Sequence, residues 1–317
     1  MAANYWESTQ RRFWQFSKEE LAHMRERLED GEQNLVSMFP LPERRHLSIY
    51  FNQQINRLGK RLGIRQQALA TAQIYIRRFY SKVEIRRTNP YLVMTTALYL
   101  ACKMEECPQH IRLIVTEART LWPELLALDV SRLGECEFFL ISEMNSQLIV
   151  HQPYRTLTNL QQDFFLSPDE VSLAVSVIND HYMTDLPLLY PPHVIALTAI
   201  LLALVLRPNP IPGGGGAAAN MAAATAALAQ AQARAGAGGS GQTTPGASEK
   251  DKQQEARLSK VHRFANFLAE SNVDIEGMVD CTQELISFYE CHEQYNDKMT
   301  REQINRFVKA RGLDKPL

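Results

Sequence analysis

Strand-like alternation of apolar and polar residues is missing from this 317-residue chain, so a β-sheet architecture has nothing to be built on. Charge of one sign is missing too. Against 34 Lys and Arg stand 35 Asp and Glu, a formal net charge of -1, which leaves no global basic field to recruit nucleic acid. Five cysteines, Cys102, Cys107, Cys136, Cys281 and Cys291, contain no CxxC pair and no Cys/His run at zinc-ligand spacing. An odd number of scattered cysteines points to a reducing, intracellular compartment. The most membrane-like window, Val194 to Leu206, is thirteen residues, short of the ~20 that a bilayer core needs. The aromatic, charged start MAANYWESTQRRFW has no apolar run fit for a signal peptide. HExxH, GxSxG, a Walker-type loop and a kinase signature are all lacking, which removes the commonest catalytic readings. Histidines are scattered, and His181 and His193 sit in mostly apolar helical surroundings that suit a structural role.

What the chain does have is helical periodicity around one segment. Pro90 to Glu106, PYLVMTTALYLACKMEE, carries no charge from Tyr91 through Cys102 and closes on Lys103, Glu105 and Glu106. At about 100° per residue, Val93, Ala97, Leu100, Ala101 and Met104 share a face, while Leu92, Met94, Leu98 and Tyr99 cover most of the rest. A helix apolar nearly all round is buried on all sides or lies in a membrane, and this one is too short for the second. It is predicted to be the central helix of an all-helical domain, with Pro90 in the first turn, where its missing N–H costs nothing. At the negative C-terminal end of the helix dipole Lys103 is favourable, whereas Glu105 and Glu106 are unfavourable unless they find partners.

Segments on either side repeat the pattern. Asn4 to Phe16 holds Tyr5, Trp6, Phe13, Trp14 and Phe16, too much aromatic surface to stand alone, so it is expected to dock on the body of the protein or on a partner. Ser17 and Glu20 have capping-box spacing and open a helix to about Leu28. Further helices are predicted over Pro42 to Leu62 with Gly63 as the stop, Arg65 to Tyr80, and Ile111 to Leu121. Another runs from Val130 to Met144 through Leu133, Phe138, Ile141 and Met144. Its mid-helix Gly134 costs about 1 kcal/mol against alanine, which points to something packed closely there. The arginine pairs Arg11–Arg12, Arg44–Arg45, Arg77–Arg78 and Arg86–Arg87 read mostly as solvated faces and turns.

After Asn145 to Pro153 the pattern starts again: Tyr154 to Phe165, Ser167-Pro168 to Thr184, and Pro192 to Leu206. Laying Pro192 on Pro90, an offset of 102 residues, brings Thr198 onto Thr96, Ala199 onto Ala97, Leu202 onto Leu100 and Ala203 onto Ala101. This is the mark of an internally duplicated bundle. Val205 then stands opposite Lys103, so the second copy keeps the packing residues without the terminal charge, and Lys103 becomes a candidate functional residue. Pro208 to Ser248, with prolines, Gly213 to Gly216 and an alanine-rich run, is expected to be a mobile insertion, and no strand or Gly-Lys-Ser/Thr makes its glycines a phosphate cradle. Helical pattern resumes at Leu258 and at Ile275, and the tail from Thr300 is polar. The division expected is an N-terminal helical segment over 1–41, a first bundle over 42–147, a second over 148–311 interrupted at 208–250, and a tail over 312–317.

Without a catalytic constellation, a duplicated bundle is best read as a binding module. Lys103 and Glu135 come from two helices of one bundle; adjacent, they would offer a donor and an acceptor to the backbone ends of a partner helix. The run LACKMEE (Leu100 to Glu106), followed by GECEFFL (Gly134 to Leu140), resembles the cyclin box, and the duplicated five-helix bundle is similar to the cyclin fold. Within that family the chain looks like a fungal-type C-type cyclin, the cyclin of the Mediator kinase module. That finer likeness rests on NYW (Asn4 to Trp6), RQQALATAQIYIRRFY (Arg65 to Tyr80), LIVHQPYRTL (Leu148 to Leu157) and INDHYMTDLPLLYPPHVIAL (Ile178 to Leu197).

The resemblance implies a nuclear regulatory subunit, not itself an enzyme and without a cofactor, that binds and activates a Mediator-type cyclin-dependent kinase. RNA polymerase II transcription, including phosphorylation of the polymerase tail, would be regulated, with larger Mediator kinase-module subunits as further partners and neither membrane nor nucleic acid bound directly. It gives the kinase-contacting roles to Lys103 and Glu135, with Glu106 beside them, and makes the segment around Tyr5 and Trp6 an N-terminal helix packing near the kinase. Gly134 before the glutamate and the insertion depart from the family pattern. H-type or K-type transcriptional cyclins are the alternative within the family, opposed by LLYPP and by Asn4-Tyr5-Trp6. A DNA-binding cyclin-like fold of the TFIIB kind is a further one, kept open by the arginine pairs and opposed by the near-neutral charge.

Overall fold

Caps written in the sequence set many of the helix ends. The computed structural model describes residues 4–123, 128–206 and 249–315, with 249–257 as backbone alone. The expected insertion over Pro208 to Ser248 lies outside the described residues. All regular structure among the described residues is helical: a 3-10 turn at Tyr5–Glu7, then α1 (Thr9–Phe13), α2 (Lys18–Asp30), α3 (Gln33–Met38), α4 (Arg44–Leu62), α5 (Gln66–Tyr80), a 3-10 turn at Ile85–Arg87, α6 (Pro90–Met104), α7 (Ile111–Leu121) and α8 (Val130–Glu143). There follow α9 (Tyr154–Leu160), α10 (Pro168–His181), α11 (Leu186–Leu189), α12 (Pro192–Val205), α13 (Glu249–Glu270), α14 (Ile275–Gln294) and α15 (Asp297–Ala310). None of the helices described is long and apolar enough to cross a membrane. The chain forms two compact units, one of Met1–Gln152, Tyr182–Pro191 and Cys291–Leu317, the other of Pro153–His181 and Pro192–Glu290.

In the first unit five helices, α4 to α8, gather around α6. Asn89 caps α6 by accepting from the Tyr91 N–H, and Pro90 occupies the first turn. Asp129 caps α8 in the same way through Arg132, Ser17 and Glu20 form the reciprocal capping box of α2, and Gly63 closes α4 at a φ of 63° that a side chain would resist. Val93, Met94, Ala97, Leu98, Leu100 and Ala101 are all buried, so α6 is enclosed on most sides. Its contacts with α5 and α8 follow from small Thr95, Thr96, Ala97 and Ala101; both threonine hydroxyls turn back onto the helix, onto the carbonyls of Tyr91 (2.7 Å) and Leu92 (2.8 Å).

The aromatic N-terminal segment docks on this unit. Trp14 is buried, with the Arg78 guanidinium 5.0 Å and the Lys82 ammonium 4.9 Å from its ring, and the Phe16 N–H donates to the Leu188 carbonyl at 2.8 Å. Arg25 grips Asp185 through two hydrogen bonds of 2.7 and 2.8 Å, and Arg77 reaches the same carboxylate at 3.0 Å.

Several features depart from the sequence expectation, and among the arginine pairs read as solvated, Arg78 and Arg86 are buried. The tail, read as merely polar, contains α15, whose Ile304, Phe307 and Val308 are buried in the first unit's core against the α4 side, while Asn305 accepts from the Tyr91 hydroxyl at 2.9 Å. Phe138, read as part of the core stripe of α8, is 78% exposed; the stripe is Leu133, Cys136, Leu140 and Met144.

The second unit is built on α10 and α12, with α9, α13 and α14 added, around Leu157, Phe164, Ile178, Phe264, Leu285 and Phe288. Its central helix α12 begins at Pro192, as α6 begins at Pro90, and the Thr198 hydroxyl donates to the Val194 carbonyl at 3.0 Å. This is the hydrogen bond of Thr96 to Leu92 repeated at the same offset, so the duplication reaches individual atoms.

Candidate functional site

The end of α6 is where the first unit places charge on an otherwise apolar helix. Lys103, in the last turn, favours the carbonyl end of the dipole, and its ammonium lies 4.6 Å from the centre of the Tyr99 ring one turn back. It also forms a contact ion pair with Glu137 of α8. The lysine side chain is 40% exposed and that of the glutamate 13%. A carboxylate held against a protein wall thus fixes one end of the pair, while the ammonium is presented outward.

Lys103 is therefore matched with Glu137 and not with Glu135. Helix phase explains it: at about 100° per residue, Glu137 lies roughly 70° from the middle of the stripe of Leu133, Cys136 and Leu140, and Glu135 roughly 130°. The first lies on the flank of the buried face and the second in solvent. Glu135 is exposed and has no ion pair among the described residues. The ion pair of Lys103 with Glu137 was not anticipated from the sequence; the phase of α8, set by Cys136 as a core residue, was the signal for it. The burial of Cys136 pushes its thiol up to about 11. The close approach expected at Gly134 is absent as well, since a Cβ there would meet nothing within 4 Å.

Beyond Lys103 the chain leaves α6 through Glu105 and Glu106. Glu105 finds the partner its position demands, accepting from the Thr71 hydroxyl at 2.6 Å and from the Gln152 amide at 3.5 Å. Gln152 also donates to Thr71 Oγ1 at 2.7 Å and to the Gln67 carbonyl at 2.9 Å. Glu106 is exposed at a positive φ of 52°, which turns the chain out of the helix.

The N-terminal segment reaches the same neighbourhood through His151, the residue before Gln152. Gln10 pairs with its backbone in both directions, Nε2 donating to the carbonyl at 3.2 Å and Oε1 accepting from the N–H at 2.7 Å. The Tyr5 ring stands edge-on to the His151 ring at 5.7 Å and its hydroxyl donates to Gln15 Oε1 at 2.7 Å; burial pushes that hydroxyl up to about 12. Trp6 is mostly exposed, with the Arg11 guanidinium 5.2 Å from its ring.

Apolar surface completes the region. Phe138 follows Glu137 and points to the far side of α8 from the core, and Phe139 is partly exposed with its ring edge-on to buried Phe79 at 5.2 Å. Met104, beside Lys103, is exposed too. An exposed ammonium, a fixed carboxylate and large apolar side chains on two neighbouring helices suit the docking of a protein helix; they hold no reacting constellation.

Residues 14–149 match the family described as Cyclin, N-terminal domain. A protein of Gibberella moniliformis named RNA polymerase II holoenzyme cyclin-like subunit is 67% identical over 319 residues, spanning 99% of this chain and 100% of that protein. Proteins of the same name from Neurospora crassa, 65% identical over 345 residues, and Aspergillus fumigatus, 58% over 315, also span 99% of this chain and 100% of their own length. Among solved structures, a chain in the CAK complex of Chaetomium thermophilum bound to ATP-gamma-S superposes with a TM-score of 0.61 at 20% identity, over 96% of this chain and 86% of that one. A chain of the yeast TFIIK (Kin28/Ccl1/Tfb3) complex gives 0.52 at 20% identity, over 62% and 85%. At that identity the two structures speak for the fold.

Proposed function

The chain belongs to the cyclin family, and we propose that it is the regulatory subunit of a transcriptional cyclin-dependent kinase, which it binds and activates without being an enzyme itself. The relatives' name, RNA polymerase II holoenzyme cyclin-like subunit, supports action on the polymerase II machinery in the nucleus. The kinase is of the Mediator type, with larger subunits of its module as further partners.

One observation carries the docking site: the ion pair of Lys103 and Glu137, half presented to solvent beside exposed Met104 and the aromatic end of α8. Lys103 offers N–H donors to the carbonyl end or an acidic side chain of a kinase helix, and Glu137 accepts from its backbone or from a basic side chain. Glu135 and Glu106 are the outer acidic residues of the same surface, and Tyr5 and Trp6 flank it through the His151 anchor. The mechanism is a population shift. A rigid face binds the kinase's mobile helix better in its active position, so complex formation selects that state.

Co-purification of the full chain with a Mediator-type cyclin-dependent kinase, assayed on a polymerase II tail peptide, tests the reading. A stoichiometric active complex weakened by Lys103→Ala and Glu137→Ala is the expected outcome. A well-folded chain that forms no such complex would overturn it.

A further inference from the structure

Away from this site, the start of α4 and the last turn of α14 bring three different ligand types together. Glu43 is the N-cap residue of α4, yet its carboxylate makes no capping bond. His46, three residues on, shares its face of the helix. Cys291, which is in no disulfide, comes from the far end of the sequence but belongs to the same compact unit. The carboxylate oxygen, imidazole nitrogen and thiol sulfur all lie within 4.8 Å of one another. A second observation falls on the same histidine: Nε2 of His46 is buried and has no hydrogen-bond partner among the described residues. Its ring packs on Tyr295 with centroids 5.9 Å apart, so the imidazole is held where it is.

A carboxylate, an imidazole and a thiol gathered this closely are a donor set for a borderline-soft dication. Metal–ligand bonds of about 2.0–2.3 Å place tetrahedral ligands some ~3.3–3.8 Å apart, so closure asks for on the order of 1 Å of side-chain movement. Exposed Glu43 gives an entry path, and water takes the fourth position. Hard Mg2+ and Ca2+ are disfavoured by the thiolate, while zinc accepts sulfur, nitrogen and oxygen alike. We propose that Glu43, His46 and Cys291 bind one zinc-class ion, which clips the last turn of α14 to the first turn of α4. The Cys291 thiol proton is released to solvent as the Cys291–metal bond forms.

Cobalt(II), titrated into the full-length chain with zinc as competitor, is the probe. The expected result is one saturable site per chain with a thiolate-to-cobalt charge-transfer band, displaced by zinc and untouched by excess Mg2+. Cys291→Ser removes the band, and His46→Asn and Glu43→Gln each weaken binding by more than ~10-fold while the apo circular-dichroism spectrum stays that of the parent. Zinc also raises the melting temperature of the parent chain, and raises that of Glu43→Gln by less at the same concentration. A band that survives Cys291→Ser puts the ion on another cysteine and sinks the proposal, as does affinity unchanged in His46→Asn or the absence of saturable binding.

Discussion

Lys103 and Glu137 are each other's charged neighbours across two helices, with the glutamate largely buried and the lysine presented. A partner docking here as proposed would meet a carboxylate held by its surroundings and a more exposed ammonium.

Substitution should separate this pair's work in binding from its work in folding. Partly exposed ion pairs contribute about 0–1 kcal/mol to stability, so Lys103→Ala should shift the melting temperature by no more than a few degrees. Kinase activation should fall far more, and Glu137→Ala should cost more of it than Glu135→Ala. Activation assays and thermal melts on all three variants check the order.

Phe138 gives a second test, because its outward ring adds nothing to the core. Phe138→Ser is expected to leave unfolding of the free chain unchanged and to weaken kinase binding by about 1–2 kcal/mol, roughly tenfold. A binding titration against the parent chain decides it.

Two mid-helix glycines should respond with opposite signs. Gly134→Ala adds a methyl where nothing lies within 4 Å and should stabilise by about 0.5–1 kcal/mol. At Gly59 the added Cβ would stand 2.3 Å from Cδ2 of buried Leu69, and Gly59→Ala should destabilise by about 1–2 kcal/mol. Urea unfolding of the two variants shows both signs.

Asp185 makes stability depend on acid. Burial pushes its carboxyl up, but the hydrogen bonds of Arg25 and the charges of Arg77, Arg25 and Arg44 outweigh that and hold it below the ordinary carboxylate range. A pKa depressed by folding contributes stability that is complete above the unfolded value, about 3.9, and is lost as pH falls through the folded value. Asp185→Asn should therefore melt lower than the parent near neutrality, with the gap closing below about pH 4. Melts of both from neutral to acid pH measure it.

How much of this was legible beforehand differs with the distance between the residues involved. The central helix, its proline start and the capping box at Ser17 are local patterns, and all stand where the periodicity put them. Helix α15 was legible too, in Ile304, Phe307 and Val308, but the polar residues between them hid a face three residues wide. Glu137 was harder: two acidic residues flank Cys136, and only knowing that Cys136 is in the core tells which of them turns towards α6. The grip of Arg25 and Arg77 on Asp185 joins residues more than a hundred positions apart, which no local spacing encodes.

Because the first unit takes residues up to Gln152 and then residues from Cys291 onwards, its core cannot be completed in the order in which the chain is made. At translation rates of about 5–20 residues per second, roughly seven to thirty seconds separate the synthesis of those two stretches. Through that interval the face of α4 meant for Ile304, Phe307 and Val308 has no cover, so a nascent chain caught there is the form most exposed to aggregation and most in need of a chaperone.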